Sequence, residues 1–239
     1  MNRQNRFTGI FTIILILAAF SFMRGDSIFS RAYLLDKLLL LPGIIIGLAF
    51  HEYAHALVSY KLGDPTPKLQ GRLTINPFSH IDPIGFIMLM VAGFGWGIPV
   101  QIDPRYYKNR RRDEALVASA GVTMNLIIAI VFTIIFKIVL NAFPAVFSSE
   151  AGVTLSKMIQ YAILINIVLM IFNLLPLPPL DGFNIITQIF KLDRYPWYGT
   201  IMRYGYVAVL LLVFLNLTRY IISPIIYFIF NTLINFAIS

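Results

Sequence analysis

Long apolar stretches recur along this 239-residue chain, and they limit what it can fold into. The hydrocarbon core of a bilayer is about 30 Å thick, so a spanning helix needs roughly 20 predominantly apolar residues. By this measure the sequence predicts an all-α polytopic membrane protein with about six transmembrane helices. The predicted spans are residues 7–23, 38–60, 115–136, 158–175, 198–217 and 220–237. The last two form either a tight helical hairpin or one bent helix.

The composition indicates the same class of protein. Hydrophobic residues make up 58% of the chain and charged residues only 13%, which is too apolar for an ordinary soluble domain. The net charge of +8 comes from basic residues in short loops, where a positive-inside bias explains it and no nucleic-acid partner is indicated. The chain has no cysteine, so any zinc site must be built from histidine and carboxylate ligands.

One apolar segment, residues 84–98, is too short and too rich in glycine to form a stable spanning helix. It predicts a re-entrant element between the second and third spans, with an extended, β-like second half. The distribution of Lys and Arg favours this reading. If the segment turns back, 13 of the 19 basic residues lie in the cytosol, whereas only 8 do if it spans. We therefore expect both termini in the cytosol.

The pattern His51-Glu52-Tyr53-Ala54-His55 lies inside the second predicted span. On a helix, His51 and His55 project from one face and can hold a metal ion, with Glu52 beside them as general base. Ionisable groups in a span are expensive to bury and are usually functional, which favours a metal site over hydrogen-bonded core histidines. A catalytic zinc keeps three protein ligands, so one more must come from elsewhere.

Asp181 is the main candidate for that ligand. It ends a proline-rich break after the fourth span, residues 173–182, where the chain must unwind at membrane depth. Irregular backbone at that depth is tolerated where it is buried or lines a cavity, and the predicted topology puts it in the same membrane half as His55. Spacing alone leaves Asp181 equally suited to cap the helix that begins near Gly182.

Four motifs in chain order resemble the site-2 protease family of intramembrane zinc metalloproteases. They are His51-Glu52-x-x-His55, residues 71–85, Ala120 to Asn125, and Asn173 to Gly182. The resemblance covers about residues 40–190 and is to the compact prokaryotic branch, without a PDZ or nucleotide-sensing domain. Val122 stands where the family usually has proline.

This resemblance implies a zinc metalloendopeptidase with one Zn²⁺ per chain. It implies that His51, His55 and Asp181 bind the zinc and that Glu52 activates the water. It also suggests that Asn125 and Asn173 lie near the site, where their amides hold substrate or a developing oxyanion. Hydrogen bonding between helices is the alternative role for these two residues.

Two further features surround the predicted site. The glycine-rich segment offers an edge for pairing with an extended substrate, with packing against the core as the alternative. The residues concerned are Gly93, Phe94, Gly95, Trp96 and Gly97. His80 is interpreted as a structural loop residue.

The expected function is regulated intramembrane proteolysis. The enzyme would hydrolyse a peptide bond in or near the transmembrane segment of a single-span membrane protein and release a cytosolic fragment. The expected partners are that substrate and the lipid bilayer, and no nucleic acid. Control of substrate access would rest on the spans themselves or on a regulatory membrane partner of unknown identity. A catalytically silent, membrane-protein-binding member and a metal transporter are the two other classes considered.

The domain organisation expected is one integral-membrane protease domain over residues 1–239. Its core spans about residues 38–190, with the first span, 7–23, and the closing helical pair, 198–237, at the periphery. Because the compact form resembles prokaryotic members, we expect a multi-pass protein of the prokaryotic plasma membrane.

Overall fold

The structure is a computed structural model that describes residues 31–92 and 95–239. Within these ranges the regular elements are helical and no strand forms. The helices are α1 (Arg31–Lys61), α2 (Thr66–Leu69), α3 (Pro83–Ala92), α4 (Arg110–Ala142), α5 (Glu150–Asn173), α6 (Asp181–Phe190), α7 (Tyr198–Phe214), α8 (Thr218–Ile221) and α9 (Ser223–Ile238). The predicted first span, residues 7–23, lies outside the described residues.

Three of these helices are long and apolar enough to cross a bilayer. They are α1 over Leu35–Lys61, α4 and α5, and the most apolar window of α4 has a mean hydropathy of 2.4. Helices α7 and α9 are also apolar but shorter, with 17 and 16 residues. The prediction of an all-α membrane protein is confirmed by these apolar helices. The second, third and fourth predicted spans each fall on one of the three long helices.

The chain divides into two compact units. The described part of the first comprises residues 31–38, 81–92 and 95–97, and the second comprises residues 39–80 and 98–239. In the first unit, α3 begins after Asp82, whose carboxylate accepts a hydrogen bond of 2.7 Å from the Gly85 amide. The backbone of Trp96 passes so close to Gly85 that a side chain there would collide with it.

The segment predicted to be re-entrant belongs largely to this first unit. Helix α3 has ten residues, which rise about 15 Å, about half of a bilayer core. Among the described residues, the predicted extended half is represented by one isolated β-bridge between Ile81 and Gly97. Helix α3 is therefore too short to cross a bilayer, and the described part of the second half is non-helical with one β-bridge.

The core of the second unit lies where α4, α5 and α9 pack against one another. Its buried apolar side chains include Val122, Ala129, Phe136, Ile159, Ile163, Ile167, Met170, Ile226 and Ala237. Because lipid is as apolar as these side chains, close packing must hold membrane helices together.

Helix α1 meets α5 through small residues. A Cβ atom at Gly43 would lie 2.7 Å from Ala162 Cα, and one at Gly47 would lie 3.0 Å from Asn166 Oδ1. Only glycine allows so close an approach, which is the usual way in which small residues bring membrane helices together. The Gly47 backbone thereby comes within reach of polar side chains on neighbouring helices.

Candidate metal centre

Three donor atoms from α1 and α6 converge in the second unit. The Nε2 atoms of His51 and His55 lie 3.1 Å apart, and each is 3.3 Å from Asp181 Oδ2. Zinc bound tetrahedrally at about 2.0–2.1 Å separates neighbouring nitrogen and oxygen ligands by about 3.3–3.4 Å. The triangle of donor atoms therefore has the size that a zinc ion requires, and these residues can hold one metal ion.

The hydrogen bonds of these residues also indicate a cation. His55 Nδ1 lies 2.7 Å from the Val117 carbonyl, which can only accept, so the proton of the neutral ring is on Nδ1 and the Nε2 lone pair is free. Asp181 Oδ2 is buried and has no hydrogen-bond partner among the described residues. A buried anionic oxygen facing imidazole lone pairs is unfavourable unless a positive ion lies between them.

Asp181 is not the cap of its helix. Leu180 occupies the N-cap position of α6, and Asp181 is the first residue of the helix, without a capping hydrogen bond from the cap side chain. A Cβ at Gly182 would lie 2.7 Å from the Leu175 carbonyl oxygen, so glycine allows α6 to begin directly against the end of the preceding helix. This arrangement leaves the Asp181 carboxylate directed at the histidine pair.

Gly121 explains how α4 can pass beside the two histidines. A Cβ atom there would lie 2.5 Å from His51 Cε1 and 2.7 Å from His51 Nε2, and it would also collide with His55 Nε2. Glycine is therefore the residue that leaves room at the donor atoms. Sequence reasoning included Gly121 in a motif but gave it no role, because the close packing of α4 on α1 is a tertiary feature.

Glu52 lines a cavity of about 340 Å³ that also contains the three donor residues. The amide of Val100 donates a hydrogen bond of 2.9 Å to Glu52 Oε2 and so orients the carboxylate beside His51. Glu114 and Asn184 add polar groups to the lining, and sequence reasoning missed both. It also did not foresee the contact of Val100 with Glu52. The cavity is thus a polar chamber next to the donor triangle.

The two asparagines predicted near the site take different positions. Asn173 lines the cavity, and its Nδ2 donates to the Leu169 carbonyl of its own helix at 2.9 Å. Asn125 is fully buried and contacts His51, with its Oδ1 2.7 Å from His51 Nδ1. One asparagine therefore faces the cavity and the other supports a donor residue.

The other predicted residues lie in the first unit, outside the described residues, or in a loop of the second unit. Gly95, Trp96 and Gly97 belong to the first unit, and Gly93 and Phe94 lie outside the described residues. His80 is fully buried in a loop, where its Nε2 bonds to the Thr74 carbonyl at 2.8 Å.

A second buried polar cluster, the Asp64 junction, was missed from sequence. The carboxylate of Asp64 accepts hydrogen bonds from the Ser59 hydroxyl at 2.7 Å, the Thr66 amide at 2.9 Å and the Asp103 amide at 2.8 Å. Burial raises the pKa of Asp64, but these hydrogen bonds outweigh it and hold the pKa below its usual value of 3.8. The junction ties the end of α1 to the loop that carries Val100.

An all-helical membrane protein with a His-Glu-x-x-His pair on a membrane-length helix, and a carboxylate from a second helix beside it, belongs to the class of membrane metallopeptidases. The profile of Peptidase family M50 matches residues 39–215, so the chain belongs to that family. This membership confirms the resemblance to the site-2 proteases. The chain is therefore an intramembrane zinc metallopeptidase, as predicted.

Curated bacterial proteins are similar to the chain over most of its length. "Putative zinc metalloprotease YwhC" of Bacillus subtilis is 38% identical over 181 residues, which cover 76% of this chain and 82% of that protein. The Rip2 protein of Mycobacterium tuberculosis, described in the same words, is 28% identical over 183 residues, covering 74% of this chain and 67% of its own. The Rip2 protein of Mycolicibacterium smegmatis is 28% identical over 172 residues, covering 70% and 62%. No solved structure matches the chain.

Proposed function

We propose that this peptidase cleaves single-span membrane proteins in or near their transmembrane segment and releases a cytosolic fragment, as in regulated intramembrane proteolysis. The observation that carries the proposal is the position of the donor triangle. His51 and His55 lie within the membrane-length part of α1, Leu35–Lys61, and they open onto a polar cavity. A peptide bond buried in lipid needs both water and an unwound backbone, and such a chamber can supply them.

The roles of the side chains follow from their chemistry. His51, His55 and Asp181 would hold the zinc, which when bound supplies a Lewis acid and makes water a nucleophile near neutral pH. Glu52 would accept a proton from the attacking water and deliver it to the leaving amine. The Val100 amide holds the Glu52 carboxylate in place for both transfers.

Substrate handling would use groups on the cavity wall and an extended edge. Asn173 lines the cavity, which supports a role in holding substrate or a developing oxyanion. The edge proposed for the substrate strand is residues 93–97. Its described part, residues 95–97, is non-helical and ends in the bridge of Gly97 to Ile81, which supports an extended conformation there.

We further propose a six-span protein of the bacterial plasma membrane with both termini in the cytosol and a re-entrant segment before α4. The apolar character of α7 and α9, the short length of α3 and the bias of basic residues support this topology. The bacterial origin of the similar proteins supports the location.

The test is Glu52→Gln in cells that co-express candidate single-span substrates. We expect cleavage to fall by at least about 100-fold, because general acid–base catalysis typically contributes 10²–10⁴-fold, while bound zinc stays at the wild-type level. Quantitative proteomics of membrane fractions should then show intact substrate accumulating with the variant. Glu150→Gln, at an exposed glutamate in the first turn of α5, is the matched control. Wild-type cleavage by a zinc-loaded Glu52→Gln protein would disprove the mechanism.

A further inference from the structure

Two buried asparagines form a chain of hydrogen bonds behind His51. Asn125 on α4 and Asn166 on α5 are both fully buried within membrane-length helices. Burying an amide is costly unless its polar atoms are paired, and polar groups in a span usually have a function. Sequence reasoning gave Asn166 no role.

The direction of each hydrogen bond in this network follows from Asn166, the residue farthest from His51. Asn166 Nδ2 lies 2.8 Å from the Ala162 carbonyl, which can only accept, so Asn166 Oδ1 is the atom that faces Asn125. Asn125 Nδ2 donates to that oxygen at 3.0 Å and to the Gly47 carbonyl at 3.1 Å. Both N–H groups of Asn125 are therefore used, and its Oδ1 must accept from a neighbour.

That neighbour is His51, whose Nδ1 lies 2.7 Å from Asn125 Oδ1. An accepting oxygen places the ring proton on Nδ1, which leaves the Nε2 lone pair directed at the donor triangle. We infer that Asn125 and Asn166 are positioning residues that select the tautomer and the ring orientation of His51 needed to bind the metal. The inference rests on the proposed role of His51 as a metal ligand.

This assignment changes the role expected for Asn125. An amide whose two N–H groups already donate to the Gly47 carbonyl and Asn166 has none left for a substrate oxyanion. The hydrogen bonding between helices, considered from sequence as the alternative, is therefore the role that these contacts favour. Asn125 therefore acts on the reaction through His51 and not by contact with substrate.

The glycine at position 47 is part of the same arrangement. It lies one helical turn before His51, its carbonyl accepts from Asn125, and a Cβ there would lie 3.0 Å from Asn166 Oδ1. The close approach of α1 to α5 therefore allows the asparagine pair to reach the backbone of the helix that carries the histidines. A metal ligand supported in this way by outer residues typically loses 10–100-fold in metal affinity when the support is removed.

The test measures zinc affinity of the full chain in detergent by competition with a chelator. We expect Asn125→Leu to weaken zinc binding by about 10–100-fold, and Asn166→Leu to weaken it less. Asn166→Asp keeps an oxygen for Asn125 Nδ2 and should restore most of the affinity lost in Asn166→Leu. Thr133→Val is the matched control, because Thr133 is buried on α4 and its hydroxyl donates to the Ala129 carbonyl of its own helix.

Nitrogen NMR of histidine measures the tautomer of His51, which a purely structural role of Asn125 would not change. The chain has only three histidines, so ¹⁵N-histidine labelling yields a simple spectrum in which the two tautomers are distinct. In the metal-free wild-type protein we expect His51 to carry its proton on Nδ1. In metal-free Asn125→Leu we expect a mixture of the two tautomers.

Zinc affinity within twofold of wild type in Asn125→Leu, with an unchanged His51 signal, would overturn the inference. If Asn125→Leu does not fold, the Asn166→Leu and Asn166→Asp pair decides, since equal affinities in that pair would also overturn it. Neither readout uses a peptide substrate, so this result is independent of the Glu52→Gln experiment on the proposed function.

Discussion

The metal centre and the Asp64 junction are both buried clusters around an aspartate, yet their hydrogen bonding differs. At the junction, both oxygens of Asp64 accept hydrogen bonds from the protein itself. At the metal centre, Asp181 Oδ2 has no hydrogen-bond partner among the described residues and faces two histidine nitrogens. A complete network stabilises the fold by itself, whereas an incomplete one indicates a ligand.

Replacing each aspartate by asparagine separates these two roles, and the larger effect is expected at Asp181. Asp181→Asn removes an anionic ligand, so zinc affinity should fall by more than the roughly 100-fold seen for outer-shell changes. Chelation should lower the thermal stability of wild type more than that of Asp181→Asn, because only wild type has a tightly bound ion to lose. Zinc content by mass spectrometry and melting in a chelator check both effects.

Wild-type zinc content in Asp181→Asn would show that Asp181 is not a metal ligand. A large loss of stability in the metal-free protein would instead place it among structural carboxylates like Asp64.

Gly121→Ala tests whether the space at the donor atoms is required. The added carbon would lie 2.5–2.7 Å from His51 atoms, so α4 or the histidines must shift. Such overpacking costs about 1–3 kcal/mol of folding stability and should displace the metal as well, with peptidase activity lost. Gly199→Ala is the control, because nothing lies within 4 Å of a Cβ atom at that position. Full zinc binding by Gly121→Ala would show that the donors tolerate a side chain there.

The chemistry of the site was predictable from sequence because it is encoded locally. Two histidines four residues apart share one helix face wherever that helix packs. Asp181 was less certain, because its spacing suited a helix cap equally well and only the family resemblance implied that it binds the metal. The long helices were predictable for the same reason, since bilayer thickness sets their length.

The parts that sequence reasoning missed depend on how distant helices cross. Gly121 and Val100 act on α1 from elsewhere in the chain, and nothing in their own neighbourhoods indicates the contact. Asn166 is different, because a polar residue inside an apolar span is the same signal that identified His51. The extended half predicted for the glycine-rich segment stays a prediction, because the bridge of Gly97 to Ile81 alone represents it among the described residues.

Asp64→Asn is the complementary change at the junction, and its expected effect is smaller. Hydrogen bonds to a charged group contribute about 1.5–3 kcal/mol each, and asparagine retains only one accepting oxygen, so unfolding should become easier by a few kcal/mol. Zinc affinity below the melting temperature should match wild type, because the described hydrogen bonds of the Asp64 carboxylate go to Ser59, Thr66 and Asp103 and to no donor residue. Thermal melting and chelator competition on the same sample measure the two quantities.

The pH dependence of this stability sharpens the comparison further. A carboxyl group whose pKa is lower in the folded state stabilises the protein fully above its unfolded pKa, and this contribution is lost as the pH falls through the folded value. The usual pKa of Asp64 is 3.8, and its folded pKa lies below that. The difference in melting temperature between wild type and Asp64→Asn should therefore be constant from pH 7 to about 5 and shrink below about 4. A difference that disappears already near pH 6 would mean that the junction does not hold Asp64 as a hydrogen-bonded carboxylate, and the contrast with Asp181 would fail.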